Sequence, residues 1–301
     1  HVRLLFNPLP LWSGSFPCQE FISQNNDYFS NYLFFYGSFR FRLFIANPLD
    51  YLKTHPMNKK YIVMAIFFLA LLFRWFRLAE LATFNYDEAR DVIAEKEILN
   101  GRPTLLGPES LIGDKTIYYG PLHYYLMAPA LPASNFDPIG PYFWTGFLGA
   151  VTAVILALSF GPLAGLFYAV FPLAVIYNRW AWNPNTIPLF STLFIIFLTK
   201  RRFFLAGIFL GLAFQLHVTA LALIFIALFF TRSPRLFAGF LLGILPILLF
   251  DLRHQNFYLN HYRDLISFGA GVLGHRSLTW HYFLWTIPLL AIFVSKLPKK
   301  I

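Results

Sequence analysis

What the chain has little of bounds it first. Among its 301 residues there is one cysteine, Cys18, so no intramolecular disulfide can form and no cysteine-based metal site is plausible. Three methionines are too few for a soft-metal path. Charged residues make up only 13% of the chain, where soluble domains carry roughly 25%. Internal repeats and low-complexity tracts are not evident. What is there is apolar: hydrophobic residues make up 57% of the chain and aromatic residues 20% of it. That balance reads as an all-α polytopic membrane protein. The formal net charge of +10 is no nucleic-acid signal, because several basic residues sit in short clusters between apolar runs, which is how membrane topology is written.

Met57-Asn58-Lys59-Lys60, followed by an apolar run, reads as a natural start with a positive amino end. Residues 1–56 mix Phe, Tyr, Pro and Asn without a sustained period and are expected to be an extension outside the working fold. The first span is expected from Tyr61 to Leu78. Further apolar runs cover Tyr142 to Ser159, Gly165 to Tyr177, Thr186 to Thr199, Phe203 to Thr231, Leu236 to Phe250 and Trp280 to Val294. Lys59 and Lys60 are placed in the cytoplasm by the positive-inside rule, and alternate crossings then deliver Lys200-Arg201-Arg202 to the same side. The run 203–231 has basic residues at both ends. Two crossings keep Arg232 and Arg235 inside, although each half would be only about 20 Å long against a core of roughly 30 Å. A helical hairpin with its bend near Gln215–Thr219 is therefore expected. Tyr118 to Ala133 is short and broken by Pro121, Pro129 and Pro132, so it reads as interfacial or re-entrant within a large outer loop, 79–140.

This scheme collects Asp87, Glu88, Arg90, Arg179, Asn183, His217, Asp251, Arg253 and His254 on the extracytoplasmic side. The run Asn85-Tyr86-Asp87-Glu88-Ala89-Arg90-Asp91 opens a helix, with Asp87 as N-cap, a partial apolar stripe of Ala89, Val92, Ile93 and Leu99, and a stop at Asn100-Gly101-Arg102-Pro103. Two adjacent acids beside a bilayer make a candidate catalytic or ion-binding site; the plainer alternative is a cap and a dipole partner. Arg179, flanked by Trp180 and Trp182, suits a phosphate with an apolar tail, or else a snorkelling arginine in an aromatic belt. His217 fits a packed core histidine as well as a site residue, and Asp251 with Arg253 fits an interfacial ion pair. His123 carries little by itself.

The order of these motifs resembles a known family. Asp-Glu-Ala-Arg at 87–90 is followed by Ile98-Leu99-Asn100-Gly101, Leu105-Leu106-Gly107-Pro108, Gly120-Pro121-Leu122-His123-Tyr124-Tyr125 and Tyr177-Asn178-Arg179-Trp180-Ala181-Trp182-Asn183-Pro184-Asn185. Leu205 to His217 and Leu245 to His254 complete the series. Over about residues 57–300 the chain is similar to the GT-C membrane glycosyltransferases of the protein O-mannosyltransferase and lipid A aminoarabinose-transferase type. The resemblance implies a transmembrane helix bundle with a helical first outer loop. It also implies a chain truncated at its C-terminus, since family members usually continue with further spans. It implies inverting transfer of a sugar from a polyprenyl-phosphate donor to an extracytoplasmic lipid, glycan or protein acceptor. Asp87 would be the general base with Glu88 beside it, and Arg179 and Arg90 would hold the phosphate. Where the aminoarabinose-transferase branch carries Glu-Lys-Pro, this chain has Tyr119-Gly120-Pro121, and Lys115 is the substitute basic residue. The resemblance fixes no cofactor, and a divalent cation is left open. The competing reading is a polytopic transporter or lipid flippase, against which stand the lack of paired repeat halves and of charges deep inside most spans.

Overall fold

The first helix begins where the chain first offers a cap. Asn58 accepts a hydrogen bond from the Lys60 backbone N–H at 3.0 Å, and α1 runs from Lys59–Trp75. The computed structural model describes residues 58–112 and 115–263. The expected extension 1–56, the Met57 start, the span Trp280 to Val294 and the terminal lysines lie outside the described residues. Within them the protein is mostly helical. Ile66, Ala70 and Arg74 form the buried seam of α1 at four-residue spacing, while Tyr61, Met64, Phe68, Leu72 and Phe73 face outward. A short turn of helix, α2 (Leu78–Leu81), leads to α3 (Tyr86–Leu99).

The expectation of an all-α chain needs one correction. β1 (Glu109–Ile112) and β2 (Lys115–Tyr118) pair antiparallel, with Glu109 opposite Tyr118 and Ile112 opposite Lys115. Ile112, Thr116, Ile117 and Tyr118 are strand formers, a signal legible in the sequence. The proline-broken run after it forms two short helices, α4 (Leu122–Met127) and α5 (Ala130–Ala133). Met127 and Leu131 are fully buried, so this segment packs into the protein.

Helix α6 (Gly140–Phe160) returns along α1. Trp75 donates to the Phe143 carbonyl at 2.9 Å, and Gly146 and Gly149 leave room for Trp75 and Arg74. A Cβ at Gly149 would stand 2.2 Å from Asn178 Oδ1. The expected span Gly165 to Tyr177 is instead two helices, α7 (Pro162–Val170) and α8 (Pro172–Tyr177). Pro172 has no N–H for the Tyr168 carbonyl four residues back, so the helix breaks there. Arg74 repairs the gap. Its guanidinium donates to the Tyr168 and Ala169 carbonyls at 3.2 and 2.9 Å, and to Asn178 Oδ1 at 3.0 Å.

Helix α9 (Ile187–Thr199) leads to α10 (Phe203–Leu216), α11 (Leu221–Phe230), α12 (Pro234–Gly243) and α13 (Leu245–Arg253). The run 203–231 breaks at His217, inside the expected bend, but α10 packs chiefly along α12 rather than along α11. Gly207 and Gly239 approach the opposing backbone near Leu236 and Phe204, and Gly211 meets Gly243. Small residues at four-residue spacing let the two backbones touch. The contacts advance together along both chains, so α10 and α12 run parallel, and the intervening α11 brings the chain back to the same end. Lys200-Arg201-Arg202 and Arg232 therefore share one end of this pair. The expected span Leu236 to Phe250 is bent by 65° at Ile244, where Pro246 interrupts the hydrogen-bond ladder.

Two described helical stretches, Lys59–Leu81 and Gly140–Phe160, are long and apolar enough to cross a membrane, and the bent pair would make a third. The other apolar runs are cut short by Pro172 and His217 or, like α9, span only 13 residues.

Candidate active site

Helix α3 presents its acids differently from the expectation. Its N-cap is Asn85 and not Asp87. Glu88, three residues on, accepts the Asn85 backbone N–H at 2.9 Å, closing a capping box and leaving Asp87 without a capping duty. The expected apolar stripe is also reversed. Glu88, Asp91 and Glu95 are the buried face, while Ile93 and Leu99 are exposed. The physical reason is what surrounds that face: an indole N–H and a histidine from other elements, with Arg90 of the same helix, offer these carboxylates polar partners that isoleucine cannot use.

Arg90 organises this face. Its Nη1 donates to Asp87 Oδ1 and to the Glu109 carbonyl, both at 2.9 Å, and its Nη2 reaches Asp91 Oδ1 at 2.7 Å. The Asp87 side chain keeps 45% of its surface exposed, against 3% for Asp91. His123 is fully buried with Nε2 3.3 Å from Asp91 Oδ2, at ion-pair distance but not aligned as a hydrogen bond. Glu95, one turn further, is buried, and its Oε2 has no hydrogen-bond partner among the described residues. Burial, with Asp91 adding to it, pushes the Glu95 carboxyl up to about 9, so it is protonated at neutral pH.

The second cluster lies after α8. Glu88 Oε1 accepts the Trp180 indole N–H, joining residues 92 apart in sequence. With both oxygens occupied, Glu88 positions Trp180 and the helix start. Trp180 and Trp182 stack at 4.8 Å. Arg179 Nη1 donates to the carbonyls of Phe73, Arg74 and Phe76 at 3.0, 3.3 and 2.8 Å, closing the end of α1, while its buried Nη2 has no hydrogen-bond partner among the described residues. Asn183 donates to the Leu216 carbonyl, next to His217. The His217 ring lies 4.8 Å from Tyr119 and 6.4 Å from Trp182, and its Nδ1 accepts the Thr219 backbone N–H at 3.2 Å, which gives it a capping role at the break.

The remaining expected residues stand apart. Asp251 is not paired with Arg253. Its carboxylate accepts the backbone N–H groups of Tyr258 and Leu259 at 2.6 and 3.1 Å, capping the helical residues 257–263. Tyr258 then donates to the Tyr119 carbonyl at 2.8 Å, tying that segment to the end of β2. Arg253 is exposed and has no ion pair among the described residues. Lys115 opens β2, and its side chain lies outside what is described. No three His, Cys, Asp or Glu side chains converge to hold a metal ion among the described residues, and the acids nearest one another pair with Arg90 and His123 instead.

The structure thus brings Asp87, Glu88, Arg90, His123 and the Arg179–Trp182 segment into one connected network, with Asn183 and His217 adjoining it. Asp91 and Glu95 belong to that network although the sequence reading passed over them. Their four-residue spacing was the available signal, masked by expecting the apolar stripe to be the inner face. No family model, no curated protein and no solved structure matches the chain.

Proposed function

We propose that this protein is a multi-pass integral membrane glycosyltransferase of the GT-C type. In this reading it moves a sugar, with inversion, from a polyprenyl-phosphate donor to an extracytoplasmic acceptor. The observation that carries it is the half-exposed Asp87 carboxylate, held on one oxygen by Arg90 and joined through Glu88 to the Trp180–Trp182 aromatic pair. The acceptor hydroxyl passes its proton to Asp87 as it attacks the anomeric carbon. The carbon–oxygen bond to phosphate breaks, and the carrier phosphate leaves as a stabilised anion. Arg90 spends its fork on Asp87 and Asp91, so Arg179, whose buried Nη2 has no hydrogen-bond partner among the described residues, is the better phosphate partner. The basic residues gathered at one end of α10 and α12 support assigning that end to the cytoplasm and Asp87 to the opposite side.

The transporter reading would draw on Arg74, a charge buried within α1. Its donors go to backbone carbonyls and Asn178, and it has no carboxylate partner among the described residues, so it serves the α7–α8 break rather than ion coupling. The test is transfer of labelled sugar from a polyprenyl-phosphate donor by the full chain in nanodiscs. Asp87→Asn keeps size and removes the proton acceptor, so transfer should fall by roughly 10²–10⁴-fold with the melting temperature unchanged. Wild-type-like transfer would remove Asp87 from the mechanism. Cysteine placed at Tyr86, which is 75% exposed, in a Cys18→Ser background should label only from outside, and cytoplasmic labelling would invert the topology.

A further inference from the structure

A cleft of about 310 Å³ lies between the outer face of α3, the β-hairpin and the loop 102–107. Its size falls at the lower end of small-molecule sites, about 300–1,000 Å³. Two arginines, Arg90 and Arg102, and two glutamates, Glu97 and Glu109, line it together with Tyr118 and Tyr124. The arginines are not free charges. Arg90 is held by Asp87 and Asp91, and Arg102 Nη1 lies 2.7 Å from Glu97 Oε2. The walls are also fixed in advance. Thr104 exchanges hydrogen bonds with the Tyr125 hydroxyl at 3.1 and 2.8 Å, and the Gly107 N–H meets the Tyr119 carbonyl at 3.1 Å and the Tyr258 hydroxyl at 3.3 Å. Gly107 itself must lack a side chain, since a Cβ would stand 2.1 Å from the Gly120 carbonyl oxygen.

We infer that this cleft binds a neutral saccharide and is the acceptor subsite. Three features select that chemistry. Charge is balanced within the lining, so an anion gains no net attraction and would have to displace a carboxylate from an arginine. Paired forks and carboxylates still offer donors and acceptors side by side, as vicinal hydroxyls require. Tyrosine gives an apolar ring body with a polar tip, suited to a sugar ring with one apolar and several polar edges. The position fits as well. Arg90, in the cleft wall, uses its Nη1 to hold Asp87, so a bound acceptor sits one guanidinium away from the proposed base. This inference rests on the glycosyltransferase reading for its role, though saccharide binding stands by itself.

The experiment is saturation-transfer NMR on the full chain in nanodiscs, with maltotriose and chitotriose as neutral probes and a serine-rich peptide as comparison. The expected result is transfer from aromatic protons to both or one of the trisaccharides, not to the peptide, and unchanged between roughly 0.05 and 0.5 M salt. Tyr118→Ala should weaken that binding about tenfold or more. Because Tyr118 also packs on Phe257 at 5.1 Å, Arg102→Gln provides a second variant on a side chain 74% exposed, where folding is not at risk. It should weaken saccharide binding severalfold with an unaltered melting temperature. Absence of binding by both trisaccharides, binding indifferent to both variants, or preference for the peptide would overturn the assignment. Sugar transfer without trisaccharide binding would sink the cleft and leave the glycosyltransferase reading standing. Trisaccharide binding with no transfer from any polyprenyl-phosphate donor would do the reverse.

Discussion

Helices α1 and α3 both turn charge inward and apolar side chains outward, yet they satisfy the buried charge in different ways. Arg74 on α1 is fully buried, and its contacts are backbone carbonyls, one asparagine and the Tyr168 ring. Asp91, Glu95 and His123, around α3, are just as buried but keep polar atoms without hydrogen-bond partners among the described residues. A buried group with every nitrogen hydrogen-bonded closes a structural defect, here the missing N–H of Pro172. Buried groups left partly unsatisfied next to an exposed carboxylate close no such defect, and this is the pattern the proposed function rests on. Arg179 shares both patterns, one nitrogen capping α1 and the other without a hydrogen-bond partner among the described residues.

The largest effect should come from removing Arg74. Arg74→Met orphans the Tyr168 and Ala169 carbonyls at roughly 1–3 kcal/mol each, partly offset by losing a desolvated charge, so about 2–4 kcal/mol of stability should disappear. Pro172→Ala in the same chain returns an N–H to Tyr168 and should recover at least half of the loss. Denaturation of both variants in detergent measures this, and a double variant no more stable than Arg74→Met would break the first half of the comparison.

Glu95 tests the other half through pH. Its folded carboxyl is pushed up to about 9 from an ordinary 4.5, so the folded state binds the extra proton. Stability from this group is fully present below pH 4.5 and is lost as pH rises toward 9, with a slope of up to about 1.4 kcal/mol per pH unit. Glu95→Gln imitates the protonated form, so it should flatten the fall in melting temperature between pH 5 and pH 9 and be the more stable protein at pH 8. An unchanged slope would mean that Glu95 is not held protonated. Arg179→Lys is expected to act more modestly. Lysine keeps the charge and one nitrogen for the carbonyls at the end of α1 but lacks the second guanidinium nitrogen, so stability should change by less than about 1 kcal/mol while donor affinity falls severalfold, read by melting and by donor titration. Loss of stability with donor affinity intact would make Arg179 a cap alone.

The helical character and the two long spans were legible from apolar runs and basic clusters, and so was the break in 203–231. The parallel pairing of α10 with α12 was consistent with that charge pattern but rested on Gly207, Gly211, Gly239 and Gly243, whose partner helix no local pattern names. Runs such as Gly165 to Tyr177 misled because hydropathy measures apolar length while Pro172 decides helix length. The Asp87 region was legible as a polar cluster but not as a geometry. Asn85 competed with Asp87 for the cap and won because Glu88 stands three residues after it. The inward face of α3 depended on Trp180 and His123, partners that only the tertiary fold supplies, while Arg90 lies on α3 itself.

The smallest expected effect separates the two outward faces. Phe68 on α1 and Ile93 on α3 are equally exposed, at 61% and 64%. If α1 meets lipid there, Phe68→Ser removes apolar contact with the bilayer core and should lower insertion efficiency by roughly 1 kcal/mol. Ile93 sits on a helix outside the spans, where a single exposed apolar residue meets water, and Ile93→Ser should change stability by no more than about 0.5 kcal/mol. Glycosylation-site insertion assays and melting curves read the two. Equal insertion losses would put α3 in the same apolar medium as α1, and its buried acids would then have turned inward because no water was available to them on the other side.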